Sequence, residues 1–164
     1  MVQAVHALRD QLPGLQLIIT GDGAYREEFL ALVERLGLQE RVRYLGYLSL
    51  AGLVQELARA DAGIVAQKAS PYSHLVHTGK MYDFLAFGKP VLASRLRAVQ
   101  AYFDETSLAY FEPGDPADLA RVILAVAGDP ARRRELVANS QERYTRYRWE
   151  CQKEAYASVY RRWL

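Results

Sequence analysis

Cysteine is almost absent: the 164 residues include one, Cys151. That excludes an intramolecular disulfide, argues against a cysteine-based zinc site, and fits a reducing compartment. No apolar run nears the roughly 18 to 20 residues that a membrane-spanning helix requires, and no basic-then-apolar leader opens the chain. The sequence therefore reads as soluble and cytoplasmic. An excess of one charge is lacking too, since 21 Lys and Arg face 19 Asp and Glu for a net charge of +2. Neither nucleic acid nor a membrane surface is indicated as a partner. The arginines between 132 and 148 alternate with glutamates and apolar residues and are expected on a solvated helix face.

What is present is a patterned chain of about one domain's length, able to bury a core without staples. It opens on Met1-Val-Gln-Ala-Val-His-Ala-Leu-Arg with helical spacing and no capping residue ahead, as if a longer chain were cut just before or within a helix. Leu15 to Thr20 reads as a buried parallel strand ending at Gly21. Phe29, Leu32, Val33 and Leu36 then share a helix face closed by Gly37. The unit repeats with a strand at Val42 to Leu45, a helix at Leu50 to Ala60 with Leu53, Val54 and Leu57 inward, and a strand at Ala62 to Ala66. A helix at Tyr82 to Phe87 and strands at Pro90 to Ala93 and Leu108 to Phe111 follow. Alternation of this kind predicts an α/β, Rossmann-like, doubly wound parallel sheet with helices on both faces. Asp115-Pro116 and Asp129-Pro130 each place an N-cap before a proline and predict extra C-terminal helices. Leu119, Val122, Ile123 and Val126 would line the inner face of the first. A last helix is expected from about Trp149 to Trp163, its stripe of Trp149, Tyr156, Val159, Tyr160 and Trp163 packing on this domain.

In open α/β sheets ligands sit beyond the carboxyl ends of the strands. Gly21-Asp22-Gly23 lies at such an end, where glycines allow close backbone approach and helix N–H groups favour an anion; a plain tight turn is the other reading. The connection from Gln67 to His77 is long and polar, with Lys68, Ser70, Tyr72, Ser73, His74 and His77. The two histidines lack a third metal ligand, so no metal is expected; a loop histidine donating to a phosphate or sugar hydroxyl is the alternative to a surface side chain. Thr78 can cap the next helix while Gly79 leaves its N–H open, a receptacle for a diphosphate to which Lys80 adds positive charge. Asp83 follows one turn on, and a carboxylate accepts hydrogen bonds from two vicinal ribose hydroxyls. The competing reading of Lys80 and Asp83 is a solvated ion pair.

Together these segments resemble the retaining glycosyltransferases of the GT-B fold, family 4 or group 1. The resemblance runs through Gly21-Asp-Gly23, Leu36-Gly-Leu38, Val42-Arg-Tyr-Leu-Gly46, Ala60-Asp61, Lys80 to Val91 and Glu112-Pro-Gly-Asp-Pro116. It implies that residues 1–164 form a single C-terminal domain binding a nucleotide diphosphate sugar, with no metal required. The base would lie against backbone near Tyr44 to Tyr47, the ribose on Asp83 and the diphosphate at Thr78 to Lys80, with Lys80 neutralising the leaving group. The sequence departs from the family at Leu75 and Asp83, where many members carry glutamates, at Thr78, where a subgroup has proline, and at Arg95-Leu96-Arg97, where a glycine pair is usual. The resemblance further implies an upstream first strand and an N-terminal acceptor-binding domain, the only route to a membrane. The chain alone is then expected to bind nucleotide weakly and transfer no sugar. A degenerate, non-catalytic binding or scaffold module and a nucleotide-sugar epimerase on the same fold are the alternatives.

Overall fold

The computed structural model describes residues 1–76 and 78–161. Its elements run α1 (Val2–Ala7), β1 (Leu17–Ile19), α2 (Arg26–Arg35), β2 (Val42–Tyr44), α3 (Leu50–Arg59), β3 (Gly63–Val65), α4 (Lys80–Ala86), β4 (Val91–Ser94), α5 (Arg97–Gln100), β5 (Ala109–Phe111), α6 (Pro116–Gly128), α7 (Pro130–Thr145) and α8 (Trp149–Arg161). Every strand pairing is parallel, as the α/β alternation predicts: Leu17 opposes Val42, Gly63 opposes Val91 and Leu92 opposes Ala109. The ladders form two groups, β1-β2 and β3-β4-β5, and β1 and β3 are not hydrogen-bonded to each other among the described residues.

Both faces of the three-stranded group are covered. The alternation of a strand sends Leu92 and Phe111 to one side, against Leu119, Ile123 and Val126 of α6 and Ala4 and Leu8 around α1. It sends Val91, Ala93 and Tyr110 to the other, against Met81 and Leu85 of α4, Val99 of α5 and the fully buried Phe103. Val2 and Val5 of α1 turn instead toward Leu17, Val33, Leu38 and Val42. Helix α1 thus straddles both groups, and Ile64 of β3 packs with both clusters.

Asp115 caps α6 by accepting from the Ala117 N–H (2.8 Å), and Asp129 caps α7 by accepting from the Arg132 N–H (2.8 Å), each with proline in the first turn. The Glu112 to Pro116 motif is therefore a strand-to-helix turn: Gly114 has φ +83° and the Glu112 N–H donates to Asp118 (2.8 Å).

Two expectations need correction. Val54 faces solvent, 41% exposed, because α3 turns Leu53 and Leu57 inward and leaves Val54 to one side. The stripe on α8 does not pack on this domain: Trp149, Tyr156, Val159 and Tyr160 are all more than half exposed, and Tyr156 stacks on Trp149 and Tyr160. Helical spacing reports amphipathicity, not which surface receives the apolar face. Trp163 lies outside the described residues. The short α5, four residues after β4, has too few turns to show a period in the sequence.

Candidate functional site at the carboxyl edge of the sheet

Two clusters occupy the carboxyl ends of the strands. The first ties the turn after β1 to the end of β2. The Gly21 N–H donates to the Gly46 carbonyl (2.7 Å), and the Leu45 N–H to the Ile19 carbonyl (2.9 Å). Gly21 has φ +101° and Gly46 φ +63°, backbone that a side-chain-bearing residue would strain. The Tyr44 hydroxyl reaches back to the Gly21 carbonyl (2.6 Å) and the Asp22 carboxylate (3.0 Å), which also accepts from the Gly23 N–H (2.8 Å). Arg26 lies over the Tyr44 ring, 5.5 Å from its centre.

That network holds the Asp22 carboxyl below its ordinary value, chiefly through the Gly23 N–H and then Tyr44, and raises Tyr44 through desolvation and the Asp22 charge. The N–H groups of Gly21 and Gly23 are thus engaged within the protein. In this state the tight-turn reading describes them, and Asp22 supplies the anion that their backbone would otherwise offer to receive. Tyr47 stands beyond the network, 83% exposed.

Replacing Tyr44 by Phe keeps the ring and removes the hydroxyl that reaches Gly21 and Asp22. The expected result is faster amide hydrogen exchange at residues 21–25 with the fold retained. The sign of the pH effect follows from Asp22: a depressed carboxyl stabilises the fold above its unfolded value of 3.8, and that contribution is lost as the pH falls through the folded value. The difference in melting temperature between wild type and Tyr44→Phe should therefore shrink in acid. A difference that grows below pH 3.8 would contradict the assignment.

The second cluster sits at the start of α4. The Thr78 hydroxyl accepts from the Lys80 N–H at 3.4 Å, a long contact, and Gly79 is the N-cap in right-handed backbone. Lys80 and Asp83 are both exposed one turn apart, and no ion pair joins them. The solvated ion-pair reading of these two is not what the structure has. His77 lies outside the described residues.

Between the clusters runs the connection from β3. Ser70 and Ser73 fold it on itself, Ser73 donating to the Lys68 carbonyl (2.8 Å) while its oxygen accepts from the Ser70 N–H (2.8 Å). These serines shape the loop. Lys68 lies over the Tyr25 ring (5.9 Å), which joins the loop to the turn after β1. At its base the Gln67 N–H donates to the buried Ser94 hydroxyl (2.9 Å), while the Gln67 Oε1 atom is buried without a partner. Sequence reasoning missed Tyr44 as a hydroxyl donor, and a tyrosine two residues before a strand-end glycine gives no local signal for it. It also missed Gly63, whose missing Cβ admits the Phe84 ring of α4; a glycine inside a strand is the sequence mark of such an approach.

Comparison with known proteins fits this architecture. The sequence profile of the family described as "Glycosyl transferases group 1" matches residues 1–129. The lipopolysaccharide core biosynthesis glycosyltransferase LpsD of Rhizobium meliloti is 30% identical over 148 residues, which is 89% of this chain and 41% of LpsD. Among solved structures, Anabaena Alr3699/HepE in complex with UDP-glucose superposes with a TM-score of 0.78 at 23% identity, over 96% of this chain and 43% of that one. The C-terminal domain of the group 1 glycosyl transferase LpcC of Francisella tularensis superposes with a TM-score of 0.71 at 16% identity, over 88% of this chain and 75% of that domain. This chain spans about two fifths of the length of the curated relatives it matches. With a parallel sheet wound on both faces and a profile match over most of its length, the chain belongs to the group 1 glycosyltransferases and has the fold of their C-terminal domain.

Proposed function

We propose that this chain binds the nucleotide diphosphate sugar used by a retaining glycosyltransferase. The observation that carries the reading is the pair Lys80 and Asp83, exposed and unpaired with each other on one turn of α4 at the carboxyl edge of a parallel sheet. An anion beside Lys80 and two hydroxyls on Asp83 describe the diphosphate and ribose of one ligand. The UDP-glucose complex of the Anabaena relative supports the ligand class. Lys80 would neutralise charge developing on the leaving diphosphate, an electrostatic role that needs no metal. Tyr47, beside the turn at Gly21 and Gly23, would meet the base. Thr78, Gly79 and His77 complete the proposed donor contacts.

The two strand groups also suggest a place for a further parallel strand, between β1 and β3. Buried atoms without partners, His6 Nδ1 on α1 and Gln67 Oε1 after β3, belong to elements that border this gap. With an acceptor-binding domain beyond that strand, the exposed aromatic face of α8 would have a surface to cover it. On this reading transfer takes place between the two domains, and the isolated chain binds donor without transferring sugar. The second reading, a non-catalytic binding module, draws on Leu75, 82% exposed at a position where the family resemblance implies a glutamate.

A thermal-shift and calorimetric screen against uridine, guanosine and adenosine diphosphates and their sugars tests the proposal. Stabilisation by one nucleotide series is expected, since a ligand that binds only the folded state raises the melting temperature. Sugar transfer by the isolated chain would refute the division of labour, and failure of every nucleotide would refute the donor site.

A further inference from the structure

The segment from β4 into α5 carries two arginines in opposite situations. Arg95 is neutralised, pairing with Glu105 and with Glu112 (2.8 Å) while lying over the Tyr110 ring (5.3 Å). Arg97 is exposed and pairs with no carboxylate among the described residues. It lines an open cleft of about 480 Å³ with His74, Leu75, Val76, Ala101 and Tyr102. The Arg97 backbone N–H donates to His74 Nδ1 at 3.3 Å. With Nδ1 accepting, the donor the ring has left to give is its Nε2–H. The cleft thus combines a guanidinium and an imidazole N–H with an apolar lining, and among the described residues no acidic side chain lines it.

His74 to Val76 stand just before Thr78 to Lys80 in the sequence, and on the donor-binding reading this cleft is where the glycosyl end of a donor with its diphosphate at Lys80 is placed. We infer that the glycosyl group is acidic: a nucleoside diphosphate linked to a uronic acid, its carboxylate paired with the Arg97 guanidinium and assisted by His74 Nε2–H. The planar fork of arginine suits a carboxylate, and the apolar lining suits the hydrogen-bearing face of the sugar ring. This inference rests on the donor-binding reading and adds the class of sugar.

The test is calorimetry on the 164-residue chain with matched neutral and acidic donors, UDP-glucose against UDP-glucuronate and GDP-mannose against GDP-mannuronate. The acidic member of one pair is expected to bind about tenfold or more tightly, the usual scale of one charge-assisted hydrogen bond. Arg97→Gln should erase that preference, leave the neutral sugar within about twofold, and keep the melting temperature, because the side chain is exposed. Arg97→Lys should retain part of it. Equal affinity for the two members of a pair, or a preference that survives Arg97→Gln, overturns the inference while leaving the donor site standing. If no nucleotide sugar binds, the donor reading fails and this inference fails with it.

Discussion

Gly63→Ala is expected to lower the melting temperature by roughly 2 to 12 °C, the consequence of a clash worth roughly 1 to 3 kcal/mol in a chain of this size. The added Cβ would clash with the Phe84 ring, which packs over the first residue of β3. Neither partner has an easy retreat. Gly63 is buried and its N–H donates to the Pro90 carbonyl (2.9 Å), while Phe84 is set between the buried Met81 and Leu85 of the same helix. The strain must move α4 away from the sheet, and α4 carries Lys80 and Asp83. Donor affinity should therefore fall together with stability. Trimming the ring supplies the control: in Gly63→Ala/Phe84→Ala the two costs should be far from additive, since they act on one contact. An unchanged melting temperature in the single variant would show that α4 is not held by this contact.

Asp83→Ala should do the reverse, removing donor binding while leaving the fold alone. The carboxylate is exposed and makes no ion pair among the described residues, so its loss leaves nothing buried unsatisfied. Two hydrogen bonds from ribose hydroxyls to a charged acceptor are together worth a loss of about a hundredfold in affinity. Asp83→Asn keeps one acceptor oxygen and should fall between. A ribose-free probe sharpens the assignment: inorganic pyrophosphate should bind Asp83→Ala at least as tightly as wild type, since a nearby negative charge is removed. Undiminished nucleotide affinity in Asp83→Ala would remove the ribose from α4. The contrast between the two substitutions, one moving the helix and one only its surface, separates scaffold from contact.

Much of the scaffold was legible because its signals are local. Asp115-Pro116 and Asp129-Pro130 specify two helix starts by capping and fixed φ, and both start where the pairs stand. The spacing of Leu119, Val122, Ile123 and Val126 marks a face that is buried throughout. Lys80 and Asp83 share a turn because the helical repeat puts positions three apart on one side. The parallel arrangement followed from alternating strands and helices, since parallel neighbours need a long crossover between them.

The remainder depends on groups far apart in the chain. Arg97 and His74 are 23 residues apart, as are the Tyr44 hydroxyl and the Gly21 carbonyl, and each pair meets only when parallel strands bring their carboxyl ends side by side. The same holds for Val54 and the aromatic stripe of α8, whose exposure is decided by what surface lies opposite. The sequence by itself determined the alternation of strands and the longer helices, where α6 and α7 begin, and which residue types stand at the carboxyl edge. Only the tertiary structure decided that the amides of Gly21 and Gly23 are already occupied, that Lys80 and Asp83 are not paired, and that Arg95 is neutralised while Arg97 is left open. Propensity, capping and periodicity act within a few residues, whereas hydrogen-bond and charge satisfaction is settled among neighbours in space, and that settlement determines which polar groups remain for a ligand.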